Sequence, residues 1–193
     1  MDPPENRPPP MGLVLASLLA LVFALVSCGH AKEAAAPDTP ADLPGFRPGP
    51  VSELSLDDVA SDALDPAQLG GLLRANGFTG AAVRAFSAGM GAPVRTVRVE
   101  VVAFDQPAGA RPYLDWLHEH AQEFLGAVRD EPGLDPPGAF VLSHAPDGCC
   151  SKEQPVWLVA WRHGDSVVWI QVIGQGIGRA HVEKLVNDVQ ASV

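Results

Sequence analysis

The chain has 193 residues, a formal net charge of −10, 47% hydrophobic residues and four tryptophans. That apolar content excludes disorder of the whole chain and suffices for one domain with a real core. The acidity argues against nucleic acid and anionic lipid headgroups as surface partners, because like charges repel.

From Met11 to Ser27 the chain reads MGLVLASLLALVFALVS, without a charge. A spanning helix needs about 20 apolar residues, whereas a signal-peptide core needs about 7–15 and a small residue at the cut. The run lies between the two and nearer the signal. Leu25-Val26-Ser27-Cys28 resembles the lipobox of bacterial lipoproteins: an aliphatic residue, a tolerant position, a small residue and a cysteine. The resemblance implies that residues 1–27 are a lipoprotein signal peptide and that Cys28 receives diacylglycerol and further acyl chains such as palmitate. The rest of the chain is then held at the extracytoplasmic side of the cell membrane. Each buried CH₂ contributes about 0.8 kcal/mol, so two or three chains anchor firmly. Residues 1–10 fit a signal poorly: Arg7 is offset by Asp2 and Glu5 among five prolines, and Met11 is an alternative start. An uncleaved transmembrane anchor ending at Cys28 is the competing reading. It too leaves the remainder outside the cytoplasmic membrane.

Residues 28–50 are expected to be a tether, since Pro37, Pro40, Pro44, Pro48 and Pro50 favour an extended, semi-rigid course. One extracytoplasmic domain then spans 51–193. Val51–Leu64 carries Glu53, Asp57, Asp58 and Asp62 without the pattern of a calcium loop, and is expected to be a solvated loop.

A helix follows. Asp65 suits its cap, Pro66 its first turn, Leu69, Leu72 and Leu73 its apolar stripe, and Asn76-Gly77 its end. Ala82–Phe86 is a short strand. Val94–Phe104 is a longer one, with Val97, Val99, Val101 and Ala103 on one face and Thr96, Arg98 and Glu100 on the other. Its first half reads as half-exposed and its second half as buried. A second helix opens at Asp105-Gln106-Pro107 and runs to about Ala127, with Pro112 as an awkward member. Ala139–Ser143 is a strand. Val156–Trp161 and Ser166–Ile173 form a hairpin, apolar on both faces, around Arg162-His163-Gly164-Asp165. Arg179–Val193 closes the chain as an amphipathic helix, with Val182, Leu185, Val186, Val189 and Val193 on one stripe. The long hairpin and the few possible crossovers predict an α/β (α+β) fold: a largely antiparallel sheet flanked by helices.

Several stretches imitate chemical motifs. Gly174-Gln175-Gly176-Ile177-Gly178 lacks the last glycine of a dinucleotide loop and a strand beyond its helix. Ala85-Phe86-Ser87-Ala88-Gly89 lacks the first glycine of a nucleophile elbow. His118-Glu119-His120 places its histidines two apart on a helix, so they point to different faces, and no metal is expected. Cys149-Cys150 is the unusual pair. With Cys28 acylated, these two remain as a strained vicinal disulfide, as free thiols or as a bridge to another chain. Trp116, Trp157, Trp161 and Trp169 could line a ligand pocket, although tryptophan in an apolar strand is more often core; Trp157 and Trp161 share one strand face and mark a possible ligand cleft there.

Three segments carry a wider likeness: LRANGF at Leu73–Phe78, VVAFDQPAGARPYLDWL at Val101–Leu117, and the hairpin WLVAWRHGDSVVWIQVIG with its terminal helix. Their layout is similar to small lipid-anchored exported proteins of actinobacteria, such as LpqN-type lipoproteins. The resemblance implies a PsbP-like α/β/α sandwich, binding or scaffolding outside the membrane, and no shared catalytic set. The expected protein is therefore a lipid-anchored binding module of the cell envelope, not an enzyme and without a cofactor. It meets the membrane through the lipid on Cys28, and an envelope protein or a small apolar ligand through its domain. A redox protein using Cys149 and Cys150 is the alternative.

Overall fold

A computed structural model of the chain describes residues 36–133, 139–144 and 154–193. Among these the order is β1 (Arg47–Leu54), α1 (Leu56–Ser61), α2 (Pro66–Ala75), β2 (Phe78–Ser87), β3 (Thr96–Phe104), α3 (Pro107–Leu125), β4 (Arg129–Asp130), β5 (Phe140–His144), β6 (Val156–His163), β7 (Ser166–Ile173) and α4 (Arg179–Gln190). The fold is α+β: seven strands form one antiparallel sheet in the order β1-β2-β3-β7-β6-β5-β4, accompanied by four helices.

Side chains that alternate along the strands divide the interior into two halves. Val97, Val99, Val101, Val159, Trp161 and Ile170 face one way and pack on Val182, Leu185, Val186 and Val189 of α4. Ala81, Val102, Phe104, Ala160 and Val167 face the other way, against Leu69 and Leu73 of α2 and Tyr113, Leu114 and Leu117 of α3. Helices thus cover both faces, which explains why β6 and β7 are apolar throughout.

The β6–β7 hairpin turns in two residues. His163 pairs with Ser166, and Gly164 takes φ 60°, as the first central position of such a turn favours. The α2 helix starts as its sequence dictates: the Asp65 carboxylate accepts from the Gln68 amide, and Pro66 opens the first turn. The α3 helix runs on through Pro112, which can give no amide to the carbonyl of Ala108.

Two expectations are corrected at the N-terminal side. The tether ends well before Pro50: Leu43 is 2% exposed within the α4-side core, Arg84 donates to the carbonyls of Pro40 and Ala41, and Arg47–Leu54 is the edge strand β1. Prolines 48 and 50 are tolerated there because an edge strand leaves alternate amides unpaired, and the register shifts between Pro48 and Val51. Nor is Val51–Leu64 a loop. Ser55 and Asp58 form a capping box, with the Asp58 carboxylate accepting from the Ser55 amide at 2.8 Å, and it launches α1. The lipobox around Cys28 and the pair Cys149-Cys150 lie outside the described residues.

Candidate functional site

The face of the sheet under α3 holds a cavity of about 250 Å³. Leu69 from α2, Tyr113, Trp116 and Leu117 from α3, and Leu158 and Trp169 from the sheet give it apolar walls. Its polar side is built from three charged residues. Arg98 donates through Nη2 to Glu100 Oε2 at 2.8 Å and to Asp62 Oδ2 at 3.4 Å. The guanidinium also lies over the Trp169 ring, 5.1 Å from its centroid, a cation–π arrangement.

The strand pattern explains how these groups meet. Arg98 and Glu100 are two apart on β3 and therefore share a face. Glu100 stands directly opposite Trp169 across the β3–β7 ladder, and Arg98 opposite Gln171. Asp62 comes from the C-terminal cap of α1. The three side chains grade from water to interior: Asp62 is 60% exposed, Arg98 33% and Glu100 2%.

Burial dominates the chemistry of Glu100. Removal from water pushes its carboxyl up to about 7, the nearby Arg98 charge pulls it down, and Asp62 adds to the rise. The Trp169 indole Nε1 approaches closely enough to favour the carboxylate but makes no hydrogen bond of good geometry. Tyr113 is driven well above the ordinary phenol range by its own burial, reinforced by the Glu100 and Asp62 charges. At neutral pH the cavity therefore holds a carboxyl near its midpoint, a neutral phenol and a permanent guanidinium.

Trp157 and Trp161 do not line this cavity. They are 9% and 1% exposed, in the core between sheet and α4, so the expected cleft at that face is a packed interior. Of the four tryptophans that the sequence offers as pocket walls, Trp116 and Trp169 line this cavity, whereas Arg98 and Glu100 read in the sequence as members of a half-exposed face and are not linked to them. The usable signal is the position of Glu100, one residue before the unbroken apolar run Val101–Phe104.

The other candidates separate. His118 lies 3.4 Å from Asp130 and stacks on Phe140, whereas His120 stacks on Trp116 at 4.5 Å with Nδ1 2.9 Å from the Trp116 carbonyl. Among the described residues no three His, Cys, Asp or Glu side chains are grouped to hold a metal. Gly174, the first glycine of the imitation dinucleotide loop, has a packing reason: a Cβ there would collide with the backbone of Pro93 to Arg95. Ser87 ends β2, paired with Arg47 and Thr96.

No family model matches the chain, and no curated protein does. Among solved structures, the extracellular domain of PknH from Mycobacterium tuberculosis is similar, with a TM-score of 0.49 and 15% sequence identity, covering 76% of this chain and 86% of that one.

Proposed function

We propose that the chain is an exported, lipid-anchored protein of the cell envelope whose domain binds rather than turns over its ligand, and that the cavity beneath α3 takes a small apolar molecule. One observation carries the binding reading: an apolar, aromatic-walled cavity with the half-exposed Arg98 and the buried Glu100 paired along one side. Pockets for drug-sized ligands run to about 300–1,000 Å³, so this one suits a single ring system or a short chain. Its described lining contains no serine, threonine, cysteine or histidine, and its buried carboxylate is already engaged by Arg98. The lipobox residues Leu25–Cys28 and the similarity to LpqN-type lipoproteins support the address.

The test is fluorescence titration with N-phenyl-1-naphthylamine, an uncharged probe that brightens in apolar surroundings. Binding is expected to the native protein and to be lost in Leu117→Phe, which narrows the cavity from α3. Equal binding by both proteins overturns the assignment of the site. The anchor is tested by mass spectrometry of the mature N-terminus. Loss of residues 1–27 with an acylated Cys28 is expected; an unmodified chain that retains residues 11–27 refutes it.

A further inference from the structure

The charges along the cavity say more about its guest, on the footing that the cavity is a binding site. Its described lining carries two carboxyl groups, Asp62 and Glu100, and a single basic group, Arg98. With both acids ionised, one negative charge is left uncompensated; with Glu100 protonated, the three are balanced. Neither state leaves a positive charge over, so an anion finds no partner. A cation nearby favours the ionised form of both acids.

The surplus charge has a definite place. One nitrogen, Arg98 Nη2, serves both acids, at 2.8 Å from Glu100 Oε2 and 3.4 Å from Asp62 Oδ2. The short contact is a charge-assisted hydrogen bond, and the long one is marginal. Arg98 therefore belongs to Glu100, which is 2% exposed, and its guanidinium is further held over the Trp169 ring. Asp62 is 60% exposed, and the 3.4 Å contact is the one hydrogen bond its side chain makes among the described residues. An ionised carboxylate can accept about four. Asp62 thus stands where the cavity meets water, with most of its accepting capacity unused.

Behind Asp62 the walls are apolar: Leu69 of α2, Tyr113, Trp116 and Leu117 of α3, and Leu158 of β6. A guest with its ring or chain against these walls and one charged end turned back to Asp62 buries its apolar body and keeps its charge at the waterside. The charge stays partly hydrated, so the desolvation that makes buried ion pairs costly is small. Arg98 does not oppose it, because Glu100 already compensates the guanidinium.

We infer that the cavity takes small amphiphilic cations, each an aromatic or short aliphatic body with one ammonium group, and that Asp62 at its mouth selects the charge. The apolar walls supply affinity for the body, and the carboxylate discriminates among heads.

Three probes that share a naphthalene ring and a one-carbon reach test this near pH 7.5: 1-naphthylmethylamine, 1-naphthalenemethanol and 1-naphthoate, which are positive, neutral and negative. Calorimetric titration of the purified native protein is expected to give the amine as the tightest, about fivefold over the alcohol, the upper end for an exposed ion pair, and the acid as the weakest. Asp62→Asn is expected to lose the difference between amine and alcohol, and Asp62→Glu to keep it. Because Asp62 is exposed, about 0.5 M sodium chloride should shrink the native preference below about twofold, a measurement that needs no variant. An alcohol or acid that binds the native chain as tightly as the amine overturns the ligand class. An amine preference that survives Asp62→Asn, or the added salt, overturns the role of Asp62. Binding of N-phenyl-1-naphthylamine without any preference for the amine sinks this inference alone, whereas failure of every probe, N-phenyl-1-naphthylamine included, takes the binding reading with it.

Discussion

Replacing Glu100 by glutamine should stabilise the protein in neutral and alkaline solution and do little in acid. The carboxyl ordinarily titrates at 4.5 and in the fold at about 7. At ~1.4 kcal/mol per pH unit, ionising it in place is about 3 kcal/mol less favourable than ionising it in the unfolded chain. The sign follows from proton binding. Between pH 4.5 and 7 the native state holds a proton that the unfolded state has released, so stability falls as pH rises. The contribution is fully present below pH 4.5, is lost as pH rises through 7, and is level beyond. Glutamine has the shape of the protonated acid and no such loss. Urea unfolding of both proteins at pH 4.5, 6 and 8 measures it, since every other titrating group is common to the pair and cancels in the difference. The expected gain of Glu100→Gln over the native chain is near zero at pH 4.5 and about 3 kcal/mol at pH 8. A difference that stays constant across that range would refute the burial argument, because only a group whose titration changes on folding makes it vary.

Other perturbations follow from packing. Leu73→Ala, at a fully buried position of α2 in the cavity-side core, should cost 2–5 kcal/mol, roughly the range for such truncations, read from urea midpoints. Gly109→Ala places a methyl against the carbonyl of Asn76 where α3 leaves its first turn, and should cost about 1–3 kcal/mol in the same assay. Thiol titration of the purified protein with and without reductant reports on Cys149 and Cys150; equal counts remove the redox alternative.

Much of the architecture is legible in the residue pattern. The β6–β7 hairpin is evident because both runs are rich in β-branched and aromatic residues and a glycine sits at the turn. The helices α2 and α4 are evident from their spacing, and Asp65-Pro66 marks where α2 begins. The edge strand β1 is hidden. Arg47–Leu54 has two prolines and is mostly exposed, so it has neither the alternation nor the composition of a strand; only pairing with β2 makes it one. The cavity is hidden for a different reason. Alternation assigns Glu100 and Arg98 to one face of β3 correctly, but nothing local says that α3 covers that face with Tyr113 and Trp116. A charged residue on a covered face looks the same in one dimension as a charged residue on an open one. The same ambiguity makes Trp157 and Trp161 attractive as a cleft, although α4 fills the space above them.

The strand order has a kinetic side. The sheet consists of two antiparallel meanders, β1-β2-β3 and β4-β5-β6-β7, stitched along the β3–β7 seam by partners about 70 residues apart in the chain. Glu100 and Trp169 face each other across that seam. Each meander consists of near neighbours in the chain, and the Glu100 carboxyl is enclosed only by the seam together with α3, which covers its face of the sheet. Bringing the two meanders together and covering them with α3 takes the carboxyl out of water, at a cost that protonation removes.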